Sequence, residues 1–517
     1  MAVFINLLDI GYFPFAGKRS TIDLLSMLSL GEDFGQMSFQ VILDYWQLIV
    51  ILLLIISLLF FISKYVNRHL LNTQIVMNIK QKTILFSSII LLFILFRFVI
   101  FPIPQKSINL QLIPLAYNSP FIFLESCFPN SINKKNENNK YFDINRKYTN
   151  KHIDSIPQNV VLIIVESLSQ EYVGKLSGEK SYTPFLDSLI DSSLVFPNAY
   201  ANGRKSIEAL PAILCGLPAL MDAPFIVSPY KNNQLNSLPQ ILKRHNYATS
   251  FFHGGTNGCL GFNTFCKKIG IDQYYGRKEF NNDTFFDGNW GIWDEPFLSF
   301  TADKLNEMPT PFFTCIFTLS SHHPYKIPEV YQDKFPLGTL AIHQSIQYAD
   351  FALAQFFKKI KKSKWFDNTL FIITGDHTSL SEKPEYATTK GKYKVPIILY
   401  TPDKHLLGKR SKIMQHVDIM PSIIDYLGIE DAFKSFGKSV FNKDKQYTFN
   451  YINNTFQLFD TNYLIQITNN QITGYYNIKQ DSLLTHNLIL KKKNKEFNEL
   501  KSIINTYKDV LKNNQYD

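Results

Sequence analysis

Four apolar runs in this 517-residue chain each end on, or lead into, a side chain that can bind a metal ion or a phosphate group. In chain order, the residues at these ends are Glu166, His253, His322, Asp376 and His377. A continuous apolar run of this length is typical of a parallel strand buried on both faces. The carboxyl ends of such strands gather functional groups at one edge of the sheet. The sequence therefore predicts a metal-dependent active site on an α/β sheet.

Glu166, Asp376 and His377 together offer two carboxylates and one imidazole. This donor set suits Mn²⁺ or Zn²⁺, and oxygen-rich sites also admit Mg²⁺. Three protein ligands leave a position open for a nucleophile. Because the motifs supply only one such set, we expect one divalent metal ion per chain, with Mn²⁺ as the first candidate.

The candidate nucleophile is Ser206, which follows Gly203, Arg204 and Lys205 and precedes an apolar helical pattern. This placement puts Ser206 near a helix N-terminus, where backbone amides and the helix dipole favour anions. By itself such a serine is most simply an N-cap. Next to the metal set, we predict that Ser206 is both the catalytic nucleophile and a metal ligand, because a metal lowers the pKa of a bound hydroxyl. Arg204 or Lys205 is expected to contact phosphate oxygens, the alternative being that both face solvent.

The composition bears on partners and on the redox state. The net charge of +10 comes from basic residues scattered through Asn/Lys-rich loops, and the sequence shows no zinc finger and no basic helix. We therefore expect no nucleic-acid partner, and the positive charge favours an anionic membrane or substrate. Five cysteines include no CxxC pair. Cys259 and Cys266 could form a disulfide in an extracytoplasmic domain, or remain free thiols.

Two apolar stretches, residues 46–62 and 84–103, are long enough to be transmembrane helices, although two buried core helices would have a similar composition. The connector between them carries basic residues and no acidic ones, which places it in the cytoplasm. We therefore expect a multi-pass protein of a bacterial-type cell membrane with an extracytoplasmic catalytic domain.

The rest of the chain divides by composition. Alternating strand and helix patterns predict an α/β catalytic domain, and short aromatic strands with Asn-Asn turns predict a small antiparallel β/α appendage after it. The predicted regions are an extracytoplasmic or interfacial segment (1–38), two transmembrane helices with a basic loop (39–104), a juxtamembrane connector with an exposed Asn/Lys-rich linker (105–155), the catalytic domain (156–435) and a β-rich subdomain with a terminal helix (436–517).

An ordered set of motifs over roughly residues 157–430 carries a family resemblance: VVLIIVES, NGRKSIEALPAIL, FFHGG, WGIWDEPF, TLSSHHPY and IITGDH. The set resembles the lipoteichoic acid synthase and phosphoglycerol transferase branch of the alkaline phosphatase/sulfatase superfamily. The resemblance implies an alkaline-phosphatase-like, mostly parallel sheet flanked by helices. It matches the family's metal ligands to Glu166, Asp376 and His377, its threonine nucleophile to Ser206, and its substrate-site histidines to His253 and His322.

Three features depart from the family's pattern. Ser206 stands in place of threonine, which is chemically equivalent. Leu260 and Phe262 stand where relatives carry a tryptophan and an arginine for the phosphoglycerol group, so we expect a donor head group that is not strictly glycerol phosphate, such as phosphoethanolamine or a modified glycerol phosphate. Relatives usually have four or five spans where this chain shows two, which suggests a short or truncated form.

These observations predict a membrane-anchored phosphotransferase. Ser206 would take a phosphoglycerol- or phosphoethanolamine-type group from a membrane phospholipid donor, form a covalent phosphoserine, and pass the group to a hydroxyl of a glycan, polymer or lipid acceptor. Asp294, in WGIWDEPF, is expected to hold His253 or bind a substrate hydroxyl, unless it only caps a helix. The alternatives are a phosphoric ester hydrolase, a sulfatase and a non-catalytic scaffold. A sulfatase is disfavoured because Ser206 is not followed by the usual Pro and Arg.

Overall fold

The computed structural model describes residues 46–69, 141–149, 159–443, 447–489 and 494–517, together with positions 5–7, 9 and 87. The strands are β1 (Asn145–Arg146), β2 (Asn159–Val165), β3 (Ser193–Val195), β4 (Asn198–Tyr200), β5 (Ala248–His253), β6 (Gln273–Tyr275), β7 (Phe312–Phe317), β8 (Thr369–Gly375), β9 (Ile397–Tyr400), β10 (Gly408–Lys409), β11 (Ile413–Gln415), β12 (Phe433–Lys434), β13 (Thr448–Ile452), β14 (Thr455–Phe459), β15 (Tyr463–Thr468) and β16 (Gln471–Asn477). The α-helices are α1 (Trp46–His69), α2 (Gly174–Ser177), α3 (Pro184–Ile190), α4 (Ser206–Cys215), α5 (Leu238–Arg244), α6 (Phe262–Lys268), α7 (Arg277–Phe280), α8 (Asp294–Glu307), α9 (Ile342–Ile360), α10 (Pro384–Ala387), α11 (Ile419–Tyr426) and α12 (Asn494–Lys512).

The centre of the fold is an eight-stranded sheet with the order β10-β3-β9-β8-β2-β7-β5-β6. Strands β8, β2, β7, β5 and β6 run parallel to one another, whereas β9 is antiparallel to both β8 and β3. The sheet is therefore mixed but mostly parallel, and its carboxyl edge follows β2, β5, β7 and β8. This is the edge on which the sequence places its candidate site residues.

Helices cover both faces of this sheet. All seven residues of β2 are buried, and their side chains alternate between the two faces. Val160, Leu162 and Ile164 belong to a core that includes α4 and α11, while Val161 and Ile163 belong to the opposite core with α8 and α9. Each such side chain contributes roughly 1.5–3 kcal/mol by leaving water. Burial on both faces is why these strands have uninterrupted apolar runs rather than alternating ones.

A second, smaller sheet lies in the C-terminal region for which the sequence predicts an antiparallel appendage. Strands β13, β14, β15 and β16 pair in chain order, each antiparallel to the next. Asn453 and Asn454 form one hairpin turn and Asn469 and Asn470 another, all four with positive φ, a conformation that asparagine tolerates better than most residues. The terminal helix α12 packs against β14 and β15.

The segment 141–149 packs against the body of the protein. Strand β1 pairs antiparallel with β12, and the guanidinium of Arg146 donates a 2.7 Å hydrogen bond from Nε to the Gly437 carbonyl. Ile144, Arg146 and Tyr148 are buried. Within the predicted linker, alternate residues of 141–149 are thus buried, and the Phe142 amide donates a 2.8 Å hydrogen bond to Thr506 Oγ1 of α12.

Helix α1 contains a stretch, Trp46–Tyr65, that is long and apolar enough to cross a membrane. Its mean hydropathy is 2.7, and none of it is buried against the described protein. The first predicted span falls on this helix. The second, residues 84–103, lies outside the described residues, as does nearly all of the predicted segment 1–38.

Candidate functional site

The register of the sheet brings the predicted metal ligands together. Val165 lies opposite Gly375, so Glu166 and Asp376, the next residues on β2 and β8, leave the sheet side by side. The position of Gly375 requires glycine, because a Cβ there would lie 2.1 Å from the Leu168 carbonyl oxygen. One ligand atom each of Glu166, Asp376 and His377 lies within 4.8 Å of the others, and all three residues are buried. With Ser206 we call this set the carboxylate corner.

The hydrogen bonds of the carboxylate corner fit a bound cation. His377 Nδ1 lies 2.9 Å from the Thr378 carbonyl, which can only accept, so Nδ1 carries the proton and Nε2 presents a lone pair. That Nε2 lies 3.2 Å from Asp376 Oδ2 and 3.6 Å from Glu166 Oε1. Within the described part of the chain Asp376 Oδ2 is buried without a hydrogen-bond donor, whereas Oδ1 accepts two backbone amides at 2.7 Å. Three acceptors converge, and a divalent ion is the partner that this arrangement lacks.

Electrostatics at Glu166 lead to the same conclusion. Burial, and next the negative charge of Asp376, raise the pKa of Glu166 well above its ordinary value. Hydrogen bonds from Ser167 and Ser206 oppose this shift. Two adjacent buried carboxylates are costly without compensation. A cation between them would offset both effects by stabilising the charged carboxylates.

Ser206 is the first residue of α4, and its side chain faces the carboxylate corner. The N-cap of α4 is Lys205, in an extended conformation, so Ser206 is not the N-cap that the sequence allows as its simplest interpretation. Its Oγ donates a 3.1 Å hydrogen bond to Glu166 Oε2 and lies 3.3 Å from His377 Nε2. All ten residues of α4 are buried, so the positive end of its dipole points at the site from within the protein.

Arg204 lines the same cavity as Lys205, and its guanidinium is bonded to neighbouring loops of the protein. Its Nη1 donates to Thr378 Oγ1 at 2.6 Å and to the Lys392 carbonyl, and its guanidinium carbon lies 5.8 Å from the centre of the Tyr393 ring. These bonds hold the loop that follows His377. Lys205 lines a cavity with an empty volume of about 390 Å³, bounded on the far side by the first hairpin of the C-terminal sheet.

His253 ends β5 on the other side of the site. Its Nδ1 donates to the Phe317 carbonyl at 3.1 Å, and burial lowers the pKa of His253 to about 4. Phe262 packs edge-on against this imidazole, with ring centres 5.4 Å apart, and is fully buried. Phe262 is therefore a support behind His253, although its place in the sequence suggests a substrate contact.

His322 follows β7, and burial lowers its pKa to about 4, with smaller contributions from His377, His323 and His253. The ring of Trp290 lies over His322, with centres 4.0 Å apart, and its Nε1 donates to the His323 carbonyl at 2.6 Å. We call His253, His322 and Trp290 the histidine corner. Trp290 is not among the site residues that the sequence predicts. The signal was available in WGIWDEPF, where the tryptophan precedes a glycine and lies close to Asp294.

Trp290 is fixed by its own loop. Asp287 Oδ1 accepts three backbone amides, those of Asn289, Trp290 and Gly291, at 2.7–3.1 Å. Gly291 bridges to Gly255, two residues after His253. A Cβ at Gly291 would lie 2.3 Å from the Gly254 carbonyl oxygen, so this close approach requires glycine. The Trp290 loop and the loop after His253 are thus joined directly.

Asp294 does not hold His253 in this structure. Its two carboxylate oxygens accept the backbone amides of Leu319 and Ser320 at 2.8 and 3.1 Å, and its own amide donates to Ser320 Oγ at 2.9 Å. Asp294 therefore fixes the loop that leads to His322 and also begins α8. Burial raises the pKa of Asp294 to about 6.

His416 plays a comparable supporting part for β8, where its Nε2 donates to the Gly375 carbonyl at 2.8 Å. The described cysteines are buried, and the disulfide that the sequence left open between Cys259 and Cys266 is not formed in this structure.

Comparison with solved structures gives the fold. The chain is similar to the crystal structure of a protein in the alkaline phosphatase superfamily from Vibrio parahaemolyticus, with a TM-score of 0.65, 23% identity and coverage of 74% of this chain and 94% of that one. It is also similar to the lipoteichoic acid synthase LtaP from Listeria monocytogenes, with a TM-score of 0.59, 19% identity and coverage of 71% and 95%. These likenesses confirm an alkaline-phosphatase-like α/β fold.

Comparison with curated proteins shows which members of the family the chain resembles. Lipoteichoic acid synthase 2 of Bacillus subtilis (strain 168) is 29% identical over 300 residues, which is 53% of this chain and 45% of that protein. Lipoteichoic acid synthase of Staphylococcus aureus (strain USA300) is 26% identical over 354 residues, which is 63% and 53% respectively. The chain spans about half the length of the curated relatives it matches. The sequence profile of the sulfatase family matches residues 158–429, more than half of the chain. The chain therefore belongs to the sulfatase family of the alkaline phosphatase superfamily and resembles the lipoteichoic acid synthases within it.

Proposed function

We propose that this protein is a membrane-anchored phosphotransferase in which Ser206 carries the transferred group. The observation that supports this most directly is the position of Ser206 Oγ, 3.1 Å from Glu166 Oε2 and 3.3 Å from His377 Nε2 at the N-terminus of a buried helix. A hydroxyl held by acceptors, at the positive end of a helix dipole, suits attack on a phosphorus atom.

The reaction takes place in two displacements. Ser206 Oγ attacks the phosphorus of a lipid phosphodiester, the bond from phosphorus to the diacylglycerol oxygen breaks, and the lipid alcohol leaves with a proton. The hydroxyl oxygen of an acceptor then attacks the phosphoserine, and Ser206 recovers its proton as the bond to phosphorus breaks. Glu166 Oε2 accepts the hydrogen bond of Ser206 in this structure, which directs the serine proton toward that carboxylate.

The carboxylate corner would hold one divalent ion through Glu166, Ser206, Asp376 and His377. When bound, that ion would lower the pKa of the serine hydroxyl and neutralise charge on the phosphoryl oxygens. A set of mostly oxygen ligands with one imidazole favours Mn²⁺ over Zn²⁺ or Mg²⁺ as the first candidate. His253 and His322 are neutral near pH 7, because burial lowers the pKa of each to about 4, and they would line the substrate side without binding the ion.

The donor is a membrane phospholipid and the acceptor a hydroxyl of a glycan, polymer or lipid. Helix α1 would hold the catalytic domain at the membrane surface, on the extracytoplasmic side, where lipid head groups are available. The curated relatives are lipoteichoic acid synthases, which favours a phosphoglycerol-type head group. Phe262, which is buried, stands where relatives carry an arginine, so this position offers no guanidinium to a phosphoglycerol group. The other candidate is therefore a donor lipid with a phosphoethanolamine or a modified phosphoglycerol head group.

The test uses the full-length chain in detergent with Mn²⁺ and two lipids labelled in the head group, a phosphatidylglycerol and a phosphatidylethanolamine. We expect label to move from one of them to an added polyol acceptor and, without acceptor, to remain on the protein at Ser206. Release of the label only as free head-group phosphate, at the same rate with and without acceptor, would show a hydrolase instead. No consumption of either lipid by a folded, metal-loaded chain would contradict the proposal.

A further inference from the structure

The residues that directly follow His377 are bonded to the segment that leads to Ser206. We call residues 378–383 the strap. Its first residue, Thr378, accepts a 2.6 Å hydrogen bond on Oγ1 from Arg204 Nη1, and Arg204 lies two residues before Ser206. The strap and the segment that carries the proposed nucleophile are therefore joined beside the carboxylate corner.

The far end of the strap is bonded to the segment that follows β2. The hydroxyl of Tyr172 donates to the Leu380 carbonyl. The backbone amides of Glu382 and Lys383 donate to Glu171 Oε1 at 3.0 and 2.7 Å. Both Glu171 and Tyr172 are buried, so these bonds lie within the protein. The strap is thus fixed to the elements that carry the residues of the carboxylate corner.

Ser379, the second residue of the strap, connects it to the histidine corner. Its Oγ lies 3.0 Å from the hydroxyl oxygen of Tyr325, at hydrogen-bond distance, and either hydroxyl can be the donor. Tyr325 lies three residues after His322, and its backbone amide donates to the His322 carbonyl at 2.8 Å. One side-chain bond and one short turn therefore link the strap to His322.

The backbone of Tyr325 has a conformation that local preference does not favour. Its φ is +64°, in the left-handed region, where a residue with a bulky side chain is an outlier. Such residues persist where surrounding contacts hold them, and they cluster at functional sites. The half-buried ring of Tyr325 packs against the core that contains α8 and α9, and His323 lies edge-on to it with ring centres 5.4 Å apart. Contacts of the ring and of the hydroxyl therefore hold this turn.

Trp290 holds the same turn from its other side. His322 Nδ1 lies 3.0 Å from the His323 carbonyl, and this carbonyl also accepts the 2.6 Å bond from Trp290 Nε1. His322 thus lies in a turn that is bonded to Trp290 and to Tyr325. Trp290 belongs to the histidine corner, whereas Tyr325 is bonded to the strap. Tyr325 is therefore the contact through which the position of His322 depends on the carboxylate corner.

We propose that Tyr325 is a positioning residue that fixes His322 relative to the carboxylate corner through its bond to Ser379. This inference rests on the proposed function, in which the two corners act on one phosphoryl group. Tyr325 acts through His322 and exchanges no proton with the substrate. Without the bond His322 can shift, so the phosphoryl group still binds but is contacted less well during transfer, and the loss falls on kcat rather than on KM.

The experiment removes single hydroxyls from the full-length chain. Tyr325→Phe and Ser379→Ala each remove one partner of the bond and keep the rest of the turn. Thr339→Val is the matched control, because Thr339 Oγ1 donates a 2.9 Å bond to Glu382 Oε2 of the same strap at an exposed point, close to the start of α9. Consumption of head-group-labelled lipid is measured in detergent with Mn²⁺.

We expect Tyr325→Phe and Ser379→Ala each to lower kcat about 5–20-fold and to change KM less than about twofold. The double variant should match either single variant within about twofold, because both changes break one bond. Thr339→Val should keep the wild-type kcat within about twofold. A loss in Thr339→Val equal to that in Tyr325→Phe would show that the whole strap is structural and would overturn the positioning role.

The background His322→Gln separates positioning from a general effect on the fold. There, Tyr325→Phe should lower kcat by less than about twofold further, because the imidazole through which it acts is absent. A further loss of about 5–20-fold in this background would overturn the positioning role. So would a kcat of Tyr325→Phe equal to that of an active wild type, and the proposed function would remain in place.

A second measurement needs no turnover. The ring of Trp290 lies 4.0 Å from that of His322, so its fluorescence reports on this imidazole. The emission of Trp290, taken as the difference between each chain and the same chain with Trp290→Phe, should change in Tyr325→Phe and stay unchanged in Thr339→Val. Unchanged emission in Tyr325→Phe would overturn the inference. Absence of lipid consumption by wild type would contradict the proposed function, and the emission would still show whether Tyr325 fixes His322.

Discussion

The two halves of the candidate site differ in how their polar side chains are bonded. In the carboxylate corner, charged groups converge with few donors: among the described residues Asp376 Oδ2 is buried without a hydrogen-bond donor, and the pKa of Glu166 is raised by burial and by Asp376. In the histidine corner, the imidazoles are neutral and their Nδ1 atoms are satisfied by backbone carbonyls. The first corner could bind a cation between its acceptors, whereas the Nδ1 atoms of the second already have their hydrogen-bond partners. The comparison predicts that metal chemistry and substrate contact can be separated by mutation.

The largest expected effect is at Ser206. Ser206→Ala should lower transfer by at least about 10³-fold, because the covalent intermediate cannot form, while Ser206→Thr should retain measurable activity. The measurement is head-group transfer together with mass spectrometry of the phosphorylated chain. The melting temperature of Ser206→Ala serves as the folding control. Full turnover by a chain without the hydroxyl would remove Ser206 from the mechanism.

Metal binding should depend on Asp376. Addition of Mn²⁺ to chelator-treated protein should raise the melting temperature, since a ligand that binds only the folded state stabilises it. In Asp376→Asn the rise should disappear and transfer should fall by about 10²-fold or more. Asp367→Asn, which removes an exposed carboxylate before the other end of β8, is the control and should keep the rise. A Mn²⁺-dependent rise that survives Asp376→Asn would mean that the ion binds elsewhere.

The histidine corner should give the complementary result. Removing one neutral imidazole from the proposed substrate side, in His253→Gln or His322→Gln, should lower kcat by about 10–10²-fold. Metal content should stay at one equivalent per chain, because neither imidazole is a proposed ligand. Elemental analysis of purified protein checks this. Two equivalents in wild type, with one lost in either variant, would show a second metal and join the two corners.

The sequence predicted the carboxylate corner better than the histidine corner for a physical reason. Glu166, Asp376 and His377 directly follow buried strands, so the sheet register alone brings them together. The contacts around His322 depend on how three loops meet. Trp290 approaches His322 through an Asp287 turn and a glycine bridge, and Asp294 acts on His322 only through the loop that it holds. Strand patterns carry no information on such contacts.

The depressed pKa of His253 predicts an acid-sensitive stability. A histidine whose folded pKa is about 4 stays neutral in the folded chain, while the unfolded chain binds a proton at about pH 6.5. The stabilisation is therefore complete above about pH 6.5 and is lost as the pH falls toward 4, by at most about 1.4 kcal/mol per pH unit for this residue. Denaturant unfolding in chelator at several pH values should show a shallower slope for His253→Gln than for wild type. Parallel slopes would mean that His253 is charged in the folded state.

The smallest expected effect is at Asp294, and it distinguishes positioning from substrate contact. Asn at this position keeps one acceptor oxygen for the loop amides, whereas Ala keeps none, so transfer should fall about 2–10-fold in Asp294→Asn and further in Asp294→Ala. Because both carboxylate oxygens face the amides of Leu319 and Ser320, the loss should fall mainly on kcat, through displacement of His322, with KM nearly unchanged.

The pH dependence of the free energy of unfolding that is linked to Asp294 should be opposite in sign to the pH dependence linked to His253. The pKa of Asp294 is raised to about 6, so its protonated form is favoured in the folded chain; the stability linked to this group is complete below about pH 3.8 and is lost as the pH rises through 6. Asp294→Asn cannot ionise and should lack this loss between pH 4 and 6. A large rise in KM with no change in kcat would instead assign Asp294 to direct binding of a substrate hydroxyl. Asp294 would then be a fourth member of the histidine corner.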